Sequence, residues 1–413
     1  MRTKRKLQIQ LEFQEVNKVL TNALFDVPYI IKYMGSKKPI LNFIINEIRD
    51  ITPSNTSVCD LFSGSCSISA AMRREYNFIS NDIQEYSEVL AHTYFSDLSM
   101  YDYKELINEI ITEAQGHVFA FMKQFGAFFY DYYSIHSIED YQKIELLQRN
   151  LLYEQSFEMD YHLFTKYYSG TYWSFEQCVW IDALRKTAEN YFDSQIYYTI
   201  LASIMHAMSY TTQSTGHFAQ YRDGNSESSV ENIITYRQKK VVEIFSNKFK
   251  ELLNTLDNSL MQLKTTTSSF EDCLSTIPDG STVYADPPYA PVHYSRFYHA
   301  LETLVKYDYP NIEHKGRYRD DRHQSPFSQK GNALKAFEKM FEKIISKKCQ
   351  MILSYSNAGV VKISELITLS RYCFEKKNYK IMIRTLNHKH STMGRFDDGD
   401  REVVEYLIIA KTL

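Results

Sequence analysis

The chain has 413 residues, of which 44% are hydrophobic and 23% charged, and a formal net charge of −3. This balance is ordinary for a folded protein and excludes intrinsic disorder as a description of the whole chain. No apolar run approaches about 18 residues, so no membrane span is predicted, and with a pI near 6.5 any nucleic-acid contact must come from local basic patches.

Residues 1–95 alternate helix-like and strand-like patterns. Apolar residues recur at helical spacing from Pro39 to Asp50, and short apolar runs at 57–62 and 77–82 predict buried strands. A strand, a small-residue turn, a helix and a second strand in this order predict a βαβ unit and therefore a parallel sheet. We interpret residues 1–95 as the first part of an α/β core.

Three segments of this first part place polar and small residues beside the predicted sheet. Lys32-Tyr-Met-Gly-Ser-Lys37 contains a glycine suited to a tight turn and a lysine placed to meet a carboxylate. Asp60-Leu-Phe-Ser-Gly-Ser-Cys-Ser67 ends the first strand in small residues, which let a ligand approach the backbone and the amides of the next helix. Asp82 ends the second strand, where a carboxylate accepts ribose hydroxyls or caps a helix. Taken singly, each segment is also explained by an ordinary turn.

Residues 96–262 have a different character and predict a mostly helical insert. Helical patterns cover 177–191, 195–208 and the stretch from Val242 to Leu256, while the polar stretch 211–229 predicts a loop. Residues 263–413 return to an α/β pattern, with strands predicted at 282–285, 350–354 and 402–410. The insert therefore divides one core into two parts along the sequence.

The segment Asp286-Pro-Pro-Tyr289 carries the strongest chemical signal. It follows a short predicted strand, and open α/β sheets bind ligands at the carboxyl ends of their strands. The prolines fix φ and stiffen the loop. The result is a rigid group of oxygen acceptors, from Asp286 and the carbonyl of Pro287, beside the aromatic ring of Tyr289.

Such a group suits an exocyclic amine on a nucleobase, whose lone pair is delocalised into the ring. Two acceptors that hold the two N–H groups favour a tetrahedral nitrogen and localise the lone pair. Tyr289 is placed to stack on the base, a contact worth about 1–3 kcal/mol. A base in duplex DNA reaches such a pocket only after it is flipped out.

The cysteines predict neither a disulfide framework nor a zinc site, because the six are scattered and no CxxC pair occurs. The first six residues are basic, but no apolar signal core follows them. We therefore expect a reduced, cytoplasmic protein without a metal centre.

Together these motifs resemble the D12 class of DNA adenine-N6 methyltransferases, the Dam-like family. Residues 32–37, 60–67, 81–82 and 286–289 are similar to that family's amino-terminal motif, motif I, motif II and DPPY, in the same order. The resemblance implies a Rossmann-like class I methyltransferase sheet with helices on both faces, a helical insert for target recognition, and S-adenosylmethionine as cofactor.

The resemblance also implies roles for individual residues. Asp286, Pro287, Pro288 and Tyr289 would form the catalytic loop, with Asp286 and Pro287 binding the adenine amine. The residues implied to bind the cofactor are Tyr33, Gly35, Lys37, Asp60, Phe62, Ser63, Gly64, Asp82, Ile83, Phe270 and Asp286. Among these, Tyr33 and Lys37 would contact the methionine end of the cofactor.

Two positions depart from the family pattern. Cys66 stands where motif I usually has glycine, which predicts a tighter turn or a shifted cofactor. The Asp-Phe pair that usually binds the cofactor's adenine is replaced by Ser269-Phe270. Phe270 is still expected to pack against that ring, and Asp272 is the candidate to replace the missing carboxylate.

DNA contacts are expected from the insert and from the loops after Tyr289. Arg222 is the candidate base reader, because arginine suits guanine edges. His293 and Tyr294, just after Tyr289, are interpreted either as a lid over the base or as a plain surface loop. Phosphate contacts are expected from a set of basic residues for which a solvated surface is an equal explanation: Lys315, Arg317, Arg319, Lys376, Lys377 and Lys389.

The leading hypothesis is methylation of adenine N6 in duplex DNA, with a cognate restriction endonuclease as a possible partner. RNA adenine, cytosine N4, and a catalytically silent DNA-binding protein on the same scaffold remain as alternatives. Recognition sequence and oligomeric state stay open.

Overall fold

A computed structural model describes residues 27–135, 137–192, 194–214, 217–256, 260–291, 294–390 and 401–413, with the backbone alone at 388–390, 401 and 402. Nine strands lie in these ranges: β1 (Val58–Asp60), β2 (Phe78–Asn81), β3 (Leu263–Thr266), β4 (Thr282–Ala285), β5 (Ile312–Glu313), β6 (Tyr318–Arg319), β7 (Gln350–Ser356), β8 (Tyr379–His390) and β9 (Arg401–Thr412).

Seven of the strands form one mostly parallel sheet in the order β3-β2-β1-β4-β7-β9-β8. β1 pairs in parallel with β2 and β4, β2 with β3, and β4 with β7, whereas β9 runs antiparallel between β7 and β8. Every residue of β1, β2, β4 and β7 is buried, as expected for central strands covered on both faces. β5 and β6 form a separate hairpin.

The described chain also forms fourteen α-helices. They are α1 (Leu41–Ile51), α2 (Ser67–Met72), α3 (Glu85–Tyr94), α4 (Tyr103–Phe125), α5 (Ile138–Glu154), α6 (Leu163–Tyr168), α7 (Phe175–Ala188), α8 (Gln195–Thr211), α9 (Glu227–Arg237), α10 (Val241–Thr255), α11 (Phe270–Thr276), α12 (Ser295–Lys306), α13 (Ala333–Ser346) and α14 (Ile363–Phe374). None of them is long and apolar enough to cross a membrane.

The two faces of the sheet are covered by different helices. Tyr284 points toward the apolar face of α1, where Ile44 and Ile48 are fully buried. Its neighbours Val283 and Ala285 point the other way, into a cluster with α11, α13 and α14. Side chains of a strand alternate between faces, so β4 contributes side chains to the hydrophobic clusters on both faces of the sheet. The expected α/β fold, with a mostly parallel central sheet, is confirmed.

Helices α3–α10 lie between β2 and β3 in sequence, and several of them pack into one large hydrophobic cluster with α12. An ion pair between Arg237 of α9 and Glu145 of α5, 2.8 Å apart and 1% exposed on each side, lies inside this region. Arg237 also donates to the carbonyl oxygens of Thr171 and Tyr172, so the guanidinium links three parts of the insert.

Two strands of the sheet, β3 and β8, were not predicted from the sequence. β3 is a partly exposed strand at one edge and contains a single strongly apolar residue, Leu263. β8 is the opposite edge and includes the basic residues Lys380 and Arg384. Charged side chains protect an exposed edge from pairing with another chain, and Arg384 contacts Glu47 of α1 at 3.2 Å.

Candidate active site

A cavity of about 320 Å³ lies at the carboxyl ends of β1, β2 and β4. The catalytic and cofactor residues predicted from the sequence all line it, from Tyr33 at one end of the chain to Tyr289 in the proline loop. Five separate segments of the sequence therefore meet at one place. In this sheet the order reverses between β1 and β4, which is where open α/β sheets bind ligands.

The turn after β1 brings backbone close to the cavity. Gly64 has φ of +50°, and its N–H donates to Oδ2 of Asp82 at 2.9 Å. Cys66 adopts a left-handed φ of 57° at the start of α2, so a cysteine takes the backbone conformation that favours glycine. Its thiol is buried with Sγ 3.3 Å from the carbonyl oxygen of Ser87, and burial raises its pKa to about 12.

Four residues with carboxyl groups line the cavity, namely Asp60, Asp82, Glu271 and Asp286. Burial raises the pKa of Asp82, although backbone N–H groups, including those of Gln84 and Gly64, oppose the rise. Burial also raises the pKa of Asp60 well above its ordinary value, and the charges of Asp286 and Asp82 add to this. The cavity therefore favours a positively charged ligand, which would relieve the repulsion among these groups.

Asp286, the first residue after β4, is held by a lysine. Its Oδ1 lies 3.1 Å from Nζ of Lys37, and the same Nζ lies 2.7 Å from Oε1 of Glu405 in β9. Burial by itself lowers the pKa of Lys37, but the two carboxylates outweigh it and raise that pKa well above its ordinary value. Burial raises the pKa of Asp286 to about 6, with Lys37 opposing the rise. The expectation that Lys37 meets a carboxylate is confirmed.

Glu405 was not predicted as a site residue. The signal for it lies in the sequence, because a glutamate stands inside the apolar run from Val403 to Ile409. A glutamate is almost never fully buried unless it is paired. In the structure Glu405 is 1% exposed and bound to Lys37.

Aromatic rings form the remaining walls. Phe62, Phe270 and Phe327 pack together with ring centroids 5.1 to 6.4 Å apart. At the other side, Tyr289 packs against Tyr355 at 5.1 Å. Tyr294 lines the cavity, whereas His293, the other residue of the expected lid, lies outside the described residues.

The proposed replacement for the missing carboxylate at Ser269 is wrong. Asp272 is exposed, and its Oδ2 accepts from the Ser269 hydroxyl at 2.7 Å while Ser269 caps α11. Asp272 does not line the cavity, but its neighbour Glu271 does. The cause is local, because the capping arrangement ties Asp272 to the helix terminus.

Two of the arginines expected to contact phosphates are structural instead. Arg319 is 2% exposed, and its guanidinium binds the carboxylates of Asp308 and Asp321 at 2.6 and 2.8 Å. Arg317 is 7% exposed and donates to the carbonyl oxygens of Tyr167 and Arg149. Their donors are occupied inside the protein, so neither is available to DNA.

The other predicted DNA-binding residues have different surroundings. Arg222 is exposed, and Lys315 is exposed and paired with Asp223. Lys376 and Lys377 are also exposed, and Nζ of Lys376 lies 3.6 Å from the centroid of the Tyr372 ring. The side chain of Lys389 lies outside the described residues.

The segment that carries Arg222 is fixed beside the cavity. The N–H of Phe218 donates to the carbonyl oxygen of Phe297 in α12 at 2.8 Å, and the hydroxyl of Tyr318 donates to the carbonyl oxygen of Ala219. The first residue of α12, Ser295, lines the cavity. The insert segment that contains Phe218 therefore contacts the same helix whose first residue lines the cavity.

Comparison with known proteins agrees with this geometry. Residues 33–355 match the family model of the D12 class N6 adenine-specific DNA methyltransferases. The chain is 24% identical over 346 residues to the modification methylase LlaI of Lactococcus lactis subsp. lactis, covering 82% of this chain and 48% of the relative. It is 23% identical over 363 residues to the type II methyltransferase M.FokI of Planomicrobium okeanokoites, covering 85% and 48%. The chain thus spans about half the length of these relatives.

Proposed function

The chain belongs to the D12 class of N6 adenine-specific DNA methyltransferases, and from this premise we propose that it transfers a methyl group from S-adenosylmethionine to N6 of a flipped-out adenine in duplex DNA. The observation that supports this most strongly is that Asp286-Pro-Pro-Tyr289 and the Gly64 turn line the same cavity. We also assign the sheet to the Rossmann-like class I methyltransferases, since its parallel part has the doubly wound order.

The residues of the cavity fit S-adenosylmethionine. The cavity volume of about 320 Å³ is at the small end of the range for ligand pockets. Phe62 and Phe270 provide an apolar wall for a purine ring, and the carboxylate of Asp82, with four lone-pair sites, retains capacity for a ribose hydroxyl after accepting the N–H groups of Gly64, Gln84 and Ile83. When bound, the cofactor supplies a methyl group on a positively charged sulfonium, which the facing carboxylates favour.

The proline loop would activate the amine. The carboxylate of Asp286 and the carbonyl oxygen of Pro287 accept its two N–H groups and hold the nitrogen in a tetrahedral geometry. Pro287 and Pro288 fix the backbone so that these acceptors are already oriented. Tyr289 stacks on the base. Asp286 need not be a strong base, because the amine proton is lost after transfer.

DNA recognition is assigned to the segment that carries Arg222. Arg222→Ala should weaken binding of the target duplex by about 1–3 kcal/mol without changing the melting temperature, because the side chain is exposed. Fluorescence anisotropy with a labelled duplex measures the affinity.

Arg319→Ala is the contrasting variant, since this buried arginine pairs with the exposed carboxylates of Asp308 and Asp321. It should lower the melting temperature. If the Arg222→Ala variant bound DNA with wild-type affinity, Arg222 would not be part of the DNA interface.

The departure at Ser269 leads to a gain-of-affinity prediction. Ser269→Asp should tighten cofactor binding by about 3- to 10-fold, because aspartate caps a helix as well as serine and adds an acceptor to the cavity wall. Isothermal titration calorimetry with S-adenosylmethionine measures this.

Ser137→Asp is the matched control, because Ser137 caps α5 with the same contacts to Asp140 that Ser269 makes to Asp272. It does not line the cavity and should leave cofactor affinity unchanged. An unchanged or weaker affinity in Ser269→Asp would contradict the proposed position of the adenine ring.

The substrate is tested with tritiated S-adenosylmethionine incubated with duplex DNA, single-stranded DNA and RNA. We expect label in duplex DNA, recovered as N6-methyladenine after digestion. Label only in RNA, or recovered as N4-methylcytosine, would replace the proposal with that alternative. No label despite measurable cofactor binding would favour a silent DNA-binding protein.

The relatives are modification methylases, and LlaI and M.FokI are named for such activity. We propose by analogy that this chain acts in a restriction-modification system with a cognate endonuclease. Sequencing of modified adenines in DNA from a methylation-free host that expresses the protein would give the target site. Protection of that DNA from the proposed endonuclease would test the partnership.

A further inference from the structure

Glu405 forms a buried polar group with Lys37 and Ser354 behind the catalytic loop. Its Oε1 lies 2.7 Å from Nζ of Lys37 and accepts from the hydroxyl of Ser354 in β7 at 2.5 Å. Lys37 continues the group to Oδ1 of Asp286, 3.1 Å away. The side chain of Glu405 is 1% exposed and that of Lys37 is 10% exposed, whereas that of Asp286 is 20% exposed and faces the cavity.

We propose that Glu405 is a positioning residue for methyl transfer, which holds Lys37 in place and balances its charge so that Lys37 orients Asp286 without cancelling the negative charge of that carboxylate. This inference rests on the proposed function, because it assigns Asp286 to the adenine amine. Glu405 itself does not touch the cavity and acts through Lys37.

The charges of the group support this role. A lysine paired with Asp286 alone would make a neutral pair, whereas one lysine between two carboxylates leaves one net negative charge when all three are ionised. Lys37 is also closer to Glu405 than to Asp286. Positive charge develops on the amine nitrogen during methyl transfer, and a fixed negative group beside it stabilises that charge.

The geometry supports the role as well. A lysine has a flexible four-carbon stem, and holding its ammonium in one place requires more than one partner. Glu405 in turn is fixed by two donors on the same oxygen, from Lys37 and Ser354. A buried carboxylate that loses its charged partner is strongly unfavourable. The carboxylate of Glu405 therefore holds the ammonium group of Lys37 at this position.

Removing the charge of Lys37 and removing the charge of Glu405 should shift the pKa of Asp286 in opposite directions. The charge of Lys37 lowers the pKa of Asp286 and that of Glu405 raises it, while burial sets the overall rise to about 6. The other titratable groups that interact with Asp286 are Asp60, Tyr284, Tyr289 and Tyr294. Neutralising Glu405 therefore lowers the pKa of Asp286, and neutralising Lys37 raises it.

The test is the pH profile of single-turnover methylation by the full chain. Glu405→Gln should lower the transfer rate about 10- to 100-fold at neutral pH and shift the acid limb of the profile, which starts near pH 6, to lower pH. Cofactor affinity should stay within about threefold of wild type, because Glu405 does not line the cavity. An unchanged rate, or an acid limb that stays in place or moves upward, would overturn the proposal.

Glu145→Gln is the matched control, since Glu145 is another glutamate that is 1% exposed and ion-paired, but with Arg237 inside the insert. It should lower the melting temperature and leave both the rate and the acid limb unchanged. This comparison separates a positioning role from the general effect of losing a buried carboxylate.

Lys37→Gln and the double variant Lys37→Gln/Glu405→Gln keep the proposal testable if Glu405→Gln does not fold. Because Glu405 positions Lys37, the double variant should have the same plateau rate as Lys37→Gln. Its acid limb should lie at lower pH than that of Lys37→Gln, because the charge of Glu405 also raises the pKa of Asp286 directly. A further loss in the double variant would overturn the proposal. If wild-type protein labels no nucleic acid, the proposed function fails and the inference with it, whereas active wild type with an unaltered Glu405→Gln rejects the inference alone.

Discussion

Replacing Asp286 by alanine should lower the rate of methyl transfer by at least about 10³-fold, while the protein stays folded and able to bind the cofactor. The substitution removes one of the two oxygen acceptors assigned to the amine, so the lone pair of the nitrogen stays delocalised into the base. It also leaves Lys37 paired with Glu405, which preserves the packing behind the loop. The reaction is measured as transfer of tritium to duplex DNA in a single turnover.

Asp279→Ala is the control for this experiment, because Asp279 precedes β4 closely in sequence, as Asp286 follows it, but is exposed and pairs with Lys347 at the surface. It should behave like wild type. Wild-type activity should also rise with pH through an acid limb near 6, as Asp286 ionises. Near-normal turnover by Asp286→Ala would show that the amine is activated by other groups.

Gly64→Ala should have the second largest effect, a loss of cofactor affinity of at least about 100-fold together with a lower melting temperature. A Cβ at this position would lie 2.4 Å from the hydroxyl oxygen of Tyr33, at the wall of the cavity. The φ of +50° adds about 1–2 kcal/mol of backbone strain for any residue with a Cβ. Calorimetry with S-adenosylmethionine and thermal unfolding measure the two effects.

Gly280→Ala separates strain from the steric clash. Gly280 has φ of +78°, but a Cβ there would have no atom within 4 Å. This variant should be destabilised by backbone strain and should bind the cofactor normally. If both alanine variants lose stability equally and both keep cofactor affinity, the Gly64 turn does not form the cofactor site.

The sequence predicts the local parts of the site well, because each motif is a short segment whose chemistry depends on its own residues. The turn with Gly64, the carboxylate of Asp82 and the proline loop with Asp286 all line the cavity as expected. Apolar periodicity also located α1, α8 and the buried strands, since these elements bury side chains at regular intervals.

The parts that depend on distant partners were not predictable from composition or spacing. The sequence does not indicate that Arg319 is paired, because only the tertiary structure places the carboxylates of Asp308 and Asp321 beside it. Asp272 was named as the replacement carboxylate, whereas Glu271 lines the cavity, because a sequence does not show which side of a helix start faces a cavity. The apolar run around Glu405 signals a buried carboxylate, but it does not identify the partner, because Lys37 is 368 residues away in the sequence.

That last pairing has a consequence for biosynthesis. Every family motif, from the Lys32 turn to the proline loop, leaves the ribosome before β9, yet β9 supplies the carboxylate that anchors Lys37 and separates β7 from β8 in the sheet. A growing chain therefore contains all the motif residues before it contains the carboxylate that pairs with Lys37. A premature stop between β8 and β9 would yield a product that contains every motif residue but lacks the carboxylate that pairs with Lys37.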